Sequence, residues 1–380
     1  MNILIIGAGR MAHGLVHDFL NLPDLQSLQV VDNSPESLKI LNTKFKNNKL
    51  STALCAADDI ENLKPYFQSA SGAISAVPYD YNLDLTKLAI QTKTHFVDLG
   101  GNNDVVEKQF ALNEQARSRS VGIIPDCGLA PGMVSVIAAH VCDELAEVDN
   151  LKIRVGGLPV SPKPPLNYML VFSPHGLINE YIEPAVILED GKITTRPSMT
   201  EVEQMEFPQP FGLLEAFYTS GGTSTLPQTF ENKVNYLDYK TIRYPGHCHI
   251  FKAMLDLGFA DETEFKYKNI VCTNREIFER MLVDPLTYES EDAVLIRVTA
   301  TGQKAGSIKT VQYQCIDYQD RKTGLTAMMR CTSFPAAIIL QMLVRGDIKD
   351  QGVLRQEISV PGRLFMAELE KRMIKFDRLD

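Results

Sequence analysis

Short apolar runs at positions 2–6, 28–32, 73–77, 96–98 and 122–125 alternate with stretches of helical periodicity at 11–21, 35–45, 83–93 and 105–119. Runs of that length read as buried strands, and the βαβαβ order predicts a parallel sheet with helices on both faces. The pattern changes after Pro131. Apolar residues from Met133 to Leu145 recur at helical spacing, so Pro131 is expected at the first position of a helix. Further on, 185–188 and 192–195 flank a Glu189-Asp190-Gly191 turn and predict a hairpin. Runs at 293–300, 308–317 and 325–332 predict three consecutive antiparallel strands, and 334–345 and 362–376 predict helices.

Composition narrows the class. A chain of 380 residues is about two domains long. Its 38 basic against 47 acidic residues give a net charge of −9, which argues against a nucleic-acid partner. No apolar run is read as approaching the ~18 residues of a membrane span, and the N-terminus lacks a basic, cleavable leader. A soluble, cytoplasmic protein is therefore expected. The seven cysteines are scattered without a CxxC pair, which suggests neither a disulfide framework nor a zinc ribbon.

Gly7-Ala8-Gly9-Arg10-Met11-Ala12 follows the first strand and opens the first helix. Gly7 permits a tight turn, Gly9 a close backbone approach to pyrophosphate, and Ala12 close packing of helix on strand. Asp32 ends the second strand about 20 residues on, where a carboxylate can accept both ribose hydroxyls. A 2′-phosphate would meet Asp32 as a like charge, so NAD is expected rather than NADP. Lys39, Lys44, Lys46 and Lys49 read as a solvated helix face. Ala76-Val77-Pro78-Tyr79 and Asp98-Leu99, at strand ends, should pass near the nicotinamide end of the cofactor.

Candidate chemistry gathers on the same rim. Asp126 precedes a helix whose dipole would favour an anion, within a Gly- and Pro-rich segment that reads equally as an inter-domain hinge. Cys127 reads as a nucleophile or, with no histidine beside it, as a packed core side chain. Thr219, Gly221, Gly222 and Thr223 sit in a loop of interleaved hydroxyls and glycines suited to a polar ligand. Thr241 and Arg243 share a strand face. A buried Arg243 needs an anion, either a substrate carboxylate or a structural acid. His247-Cys248-His249 has no third cluster of ligands to support it, so no metal is expected.

The segments 7–12, 126–132, 214–225 and 239–247, with Val155-Gly156-Gly157-Leu158-Pro159, Pro164-Pro165-Leu166 and Phe172-Ser173, resemble the saccharopine dehydrogenase-like family over nearly the whole chain. The likeness is nearest to its lysine 6-dehydrogenase members. The resemblance implies an α/β fold: a Rossmann doubly wound parallel sheet over 1–128, an α+β sheet-rich catalytic and dimerisation domain over 129–345, and a segment 346–380 returning to the first domain. An apolar stripe at Leu364, Met366, Leu369, Met373 and Phe376 points the same way. The resemblance also implies a homodimer and NAD-dependent oxidative deamination of the side-chain amine of L-lysine. In that chemistry Asp126, His247 and Tyr79 are candidates for proton transfer. Arg243, Thr241, the 219–223 loop and Cys127 are candidates for holding an amino-acid substrate. Gly7, Gly9, Arg10, Met11, Asp32, 76–78, Asp98 and Leu99 would hold the cofactor. A saccharopine- or carboxynorspermidine-type reductase would need a second basic group, for which Arg154 and Lys240 are candidates. A non-catalytic NAD-binding sensor is the alternative of a different class.

Overall fold

In the computed structural model, which describes residues 1–379, the first half builds six parallel strands. They are β1 (Asn2–Ile6), β2 (Ser27–Asp32), β3 (Leu50–Leu54), β4 (Gly72–Ser75), β5 (His95–Asp98) and β6 (Gly122–Ile124). β3 and the helix Ile60–Ser69 that follows are absent from the sequence reading. β3 lies on a sheet edge, mostly half-buried, and Pro65 interrupts the helical pattern.

The strand-rich second half contributes β7 (Glu147–Pro159), the hairpin β8 (Ala185–Glu189) and β9 (Lys192–Arg196), β10 (Glu203–Phe207), β11 (Gly212–Tyr218) and β12 (Val234–Arg243). A separate two-stranded hairpin follows, β13 (Phe265–Tyr267) with β14 (Ile270–Cys272). The long pair β15 (Asp292–Lys304) and β16 (Ser307–Tyr318) is antiparallel, and two short strands, β17 (Gly352–Val353) and β18 (Asp377–Arg378), close the chain. The first sheet runs β17-β6-β5-β4-β1-β2-β3 and is parallel throughout. The second runs β10-β11-β12-β7-β15-β16-β18, with β8 and β9 attached to β12. The order reverses between β1 and β4, the crevice where open α/β sheets take ligands.

Several expected elements differ: the helix expected over 105–119 is two, Asn103–Phe110 and Asn113–Ser118, and the one expected over 362–376 ends at Lys371. Positions 325–332 do not form a third antiparallel strand. They enter the helix Ala327–Arg345, whose first N–H groups are capped by Thr326 and by both oxygens of Asp292. Pro131 does not start a helix either. Ala130, Pro131 and Gly132 are non-helical, Gly132 has φ +127°, and the regular helix is Val134–Cys142. There a Cβ on Gly132 would lie 2.7 Å from the Cys127 carbonyl carbon, because the backbone doubles back on itself.

Ala327–Arg345 is, by length and composition, apolar enough to cross a membrane, against the expectation that no run approaches that length. In the fold it is a core helix, with 83% of its apolar window buried. It packs on the first domain: Ser333 Oγ donates to Met11 O at 2.7 Å, and Gln341 Nε2 to Asp18 Oδ2 at 2.9 Å. Contact with the first domain is therefore made by Ser333, earlier than position 346, while the first turns of the same helix are held by Asp292 and Asp317 of the second sheet. β17 then extends the first sheet beside β6, Arg372 pairs with Asp18, and β18 pairs with β16 of the second sheet. The last segment thus ties both sheets together instead of serving the first alone.

Candidate active site

The first βα turn has the geometry a dinucleotide requires. A Cβ at Gly7 (φ +104°) would lie 2.7 Å from Ala76 O and 3.0 Å from Val77 Cγ1, so only glycine lets the turn close against the end of β4. Gly9 has open space where a Cβ would point. The helix Arg10–Leu20 begins there without a side-chain cap and without an acid in its first turn, which leaves its N–H groups for an anion. Arg10 is exposed at that end. Asp32 is locked at the tip of β2 by N–H donation from Ala8 (2.6 Å) and Ser34 (2.7 Å). These residues fit a nicotinamide dinucleotide, with its pyrophosphate at Gly9 and a ribose at Asp32.

Asp98 has another task than the expected cofactor contact. Fully buried, it accepts from Gly100 N, Asp126 N and Gln109 Nε2 at 2.8–3.0 Å, pinning the two rim loops together. Tyr79 stands over the rim, its Cδ1 3.0 Å from where a Gly101 Cβ would be. Pro78 is exposed beside it.

Where the rim meets the second domain, a cavity of about 290 Å³ opens. Met11, Leu99 and Gly100 form its cofactor side. Gly128, Leu129, Ala130 and Pro131 form one wall, and Val155, Gly156 and Gly157 of β7 another. At the far end stand Phe172, Glu180, Tyr239, Thr241 and Arg243. Gly156 is obligatory here, since a Cβ would meet the Ile242 carbonyl oxygen at 2.6 Å; a Cβ on Gly157 would meet only the flexible end of Met328, at 2.6 Å.

Arg243 is the buried cation of this cavity. Nε donates to Tyr181 Oη at 2.9 Å and Nη1 to Ile242 O at 2.9 Å, and the guanidinium lies 4.7 Å over the Tyr168 ring. Among the described residues no carboxylate lies within 4.0 Å of it. Glu180 shares the cavity. Burial raises its carboxyl to about 7 although Arg243 acts to lower it. Its carboxylate has no hydrogen bond or ion pair among the described residues. Tyr239 completes the far wall, its ring laid flat on Gly222, where a Cβ would come within 2.4 Å. Burial keeps its phenol protonated.

Several expected site residues lie behind these walls. His247 is buried, and burial with the Arg243 charge lowers it to about 3, so it is neutral. Its Nδ1 lies 2.9 Å from Leu166 O and its Nε2 3.1 Å from Tyr181 Oη. The hydrogen-bond order is therefore Arg243 to Tyr181 to His247 to Leu166, which makes His247 a positioning residue rather than a proton carrier. His247 and His249 lie on a helix and diverge, the second exposed. No group of three or more potential metal ligands occurs among the described residues.

Asp126 lies beneath Gly100, off the cavity wall. No N–H of the helix Val134–Cys142 donates to its carboxylate among the described residues, so the expected stabilisation by that helix has no hydrogen bond behind it. Burial and the Asp98 charge raise its carboxyl to about 7, and Ser224 donates to it at 2.5 Å. Cys127 packs in the core with Sγ 3.3 Å from Ile124 O, and burial pushes its thiol far up, so it faces no ligand.

The 219–223 loop is bonded inward instead of lining the cavity. Thr219 pairs with Thr241 at 2.7 Å, Thr223 with Val186 O at 3.3 Å, and Gly221 takes φ +80° at the turn. Thr241 and Arg243 are the two expected substrate residues that reach the cavity. Arg154 and Lys240 point away on the opposite sheet face. Arg154 is clamped by Asp238 at 2.7 and 2.9 Å and pairs with Glu203, and Lys240 reaches Glu201 O at 2.7 Å and Glu203 at 3.3 Å. Glu180 and Tyr239 were missed. The available signal was the demand of a buried arginine for a compensating acid.

A parallel dinucleotide domain joined to a mixed-sheet domain, with a largely apolar cavity holding one arginine and one glutamate at their junction, defines a two-domain dinucleotide-binding dehydrogenase fold. Residues 3–124 match the saccharopine dehydrogenase NADP binding domain, and residues 128–374 match the saccharopine dehydrogenase C-terminal domain. The chain belongs to the saccharopine dehydrogenase family of oxidoreductases. It is 20% identical to mitochondrial alpha-aminoadipic semialdehyde synthase of Rattus norvegicus in a 421-residue alignment covering 93% of this chain and 45% of that protein. The chain thus spans less than half the length of that relative. Carboxynorspermidine synthase of Vibrio cholerae is 22% identical over 94% of this chain and 92% of its own. Apo saccharopine dehydrogenase (L-Glu forming) from Saccharomyces cerevisiae shares the fold, with a TM-score of 0.80 at 19% identity over the whole of both chains.

Proposed function

We propose that this protein oxidises the side-chain amine of L-lysine with NAD, releasing ammonia and an aldehyde. The observation that carries the reading is Arg243, a cation facing the cavity beside the dinucleotide rim with no carboxylate within 4.0 Å among the described residues. One guanidinium suits one substrate carboxylate. Saccharopine bears more carboxylates, and Arg154 and Lys240, the further cations considered for them, are already paired on the other sheet face.

With its carboxylate on Arg243, an amino acid directs its side chain along Val155, Gly157 and Met328 toward Met11 and Gly100. The apolar lining of this passage favours the neutral form of an amine whose ordinary pKa is about 10.4. The dinucleotide, when bound, supplies the hydride acceptor for the carbon bearing that amine. The iminium left on the substrate adds water and releases ammonium, and the aldehyde cyclises with the remaining α-amine. Asp32 supports NAD, since its carboxylate, held by two backbone N–H groups, would face a 2′-phosphate as a like charge.

The test is the absorbance of reduced cofactor with L-lysine against saccharopine, each with NAD and with NADP. Turnover of saccharopine but not lysine would sink the reading. A carboxynorspermidine-type reductive coupling is the second reading, favoured by the end-to-end match to the Vibrio protein. It requires reduced cofactor to be consumed only when an amine and an aldehyde are supplied together.

A further inference from the structure

We propose that Glu180 and Arg243 form a two-point clamp for the zwitterionic head of an α-amino acid, with Glu180 holding the α-ammonium and Arg243 the α-carboxylate. The inference rests on the reading of Arg243 as the carboxylate site, but not on the oxidation step. Both groups line one cavity. Each feels the other's charge, yet no ion pair closes between them within 4.0 Å among the described residues. A guanidinium and a carboxyl that share a cavity without pairing each lack a charge partner, and an ammonium placed at Glu180 would favour its ionised form. The ammonium and carboxylate of an α-amino acid, joined through one carbon, supply both partners, with one charge facing each group.

The surroundings fix both ends. Tyr181, backed by His247, holds the guanidinium through Nε, and the Tyr168 ring lies beneath it. Glu180 sits on the helix Pro174–Ile182, and its carbonyl accepts from Ser220 N at 2.9 Å, which ties that helix to the glycine-rich loop. The hydroxyls of that loop bond elsewhere, so the carboxylate remains open to the cavity. The opposite end, at Met11 and Gly100, is left for the distal part of the side chain.

L-norleucine and hexanoate separate the clamp from the chemistry, because they differ by the α-amine and neither carries a distal amine to oxidise. Calorimetric titration of the wild-type chain, with and without dinucleotide, should give L-norleucine an affinity at least about tenfold above that of hexanoate, the scale of one charge-assisted hydrogen bond. Glu180→Gln, which keeps the shape and removes the charge, should bring the two affinities together. Arg243→Lys should weaken both. Equal affinities in the wild type, no binding of L-norleucine, or a preference that survives Glu180→Gln would each overturn the clamp. The wild-type comparison needs no variant to fold. Failure of lysine oxidation with the L-norleucine preference intact would refute only the deamination reading. Lysine oxidation without that preference would refute only the clamp.

Discussion

Arg243 donates through Nε to the Tyr181 hydroxyl at 2.9 Å, so a phenol occupies the place where a structural carboxylate would neutralise a buried guanidinium. The sequence left two partners open for this arginine, a substrate or a buried acid. The structural acid is absent within ion-pair distance among the described residues. The tyrosine hydroxyl and the ring faces of Tyr168 and Tyr181 orient the fork without cancelling its charge. The remaining electrostatic demand is directed into the cavity.

Arg243→Lys tests that demand. Lysine keeps the charge but loses the planar fork and the Nε contact to Tyr181. The Michaelis constant for the amino-acid substrate should rise about tenfold or more, while NAD affinity and melting temperature stay close to wild type. A destabilised variant with an unaltered Michaelis constant would mean that Arg243 serves the fold.

His247 should behave as a support for the arginine. His247→Phe removes the acceptor of the Tyr181 hydroxyl and should raise the Michaelis constant several-fold with little change in kcat. His247→Gln offers an oxygen near the lost Nε2 and should restore much of the affinity. The pH behaviour follows from its lowered value of about 3 against an ordinary 6.5. The unfolded chain takes up this proton first, so stability is full above about pH 6.5 and falls as the pH drops toward 3. His247→Gln should remove that part of the acid loss. An equal loss of kcat in both variants would contradict a positioning role.

The dinucleotide half was legible because its signals are local. Strand, glycine turn, helix and acid fall within one stretch ending at Asp32. The substrate end was legible only in part: the strand period placed Thr241 and Arg243 on one face, but Glu180 joins them only through the long-range contact of the helix Pro174–Ile182 with β12, seen in the bond between Tyr181 and Arg243. The hydroxyls of Thr219 and Thr223 looked like ligand groups, since composition cannot distinguish a hydroxyl offered to a ligand from one bonded inward. The start of Ala327–Arg345 was misread for a different reason. Its first turn is held by Asp292 of β15, a contact with no local signature, and Leu325, Ala327, Met328, Met329 and Cys331 make a short apolar run whose type periodicity does not assign.

Asp126 should leave its mark on stability instead of on substrate binding. Its folded value of about 7 lies above the ordinary 3.8, so the native chain retains this proton longer than the unfolded one. The associated stability is complete below about pH 3.8, declines as the pH rises to about 7, and then levels off. Asp126→Asn keeps an acceptor for Ser224 without the charge. It should be the more stable protein at pH 8, with the difference from wild type vanishing near pH 4. A tenfold tighter hold on the proton in the native chain corresponds to about 1.4 kcal/mol. Melting curves of the two proteins that run parallel between pH 4 and 8 would sink this assignment.

Cofactor preference should follow the tip of β2. Asp32 is held by Ala8 N at 2.6 Å and Ser34 N at 2.7 Å, which sets its carboxylate where the adenosine ribose would lie. Next to it is Asn33, and a basic side chain there would lie beside a 2′-phosphate. Asp32→Ser combined with Asn33→Arg removes the repulsion and adds a phosphate partner, so the kcat/KM ratio of NADP to NAD should rise by at least about a hundredfold, roughly 2.7 kcal/mol. Serine reproduces only part of the acceptor capacity, so the double variant should also melt at a lower temperature, whichever cofactor is used. The single change Asp32→Ser separates these effects: it should show the stability loss with a smaller shift in preference. If the wild type already prefers NADP, or if the double variant leaves the ratio unchanged, then Asp32 does not face the ribose and its role is confined to closing the first turn.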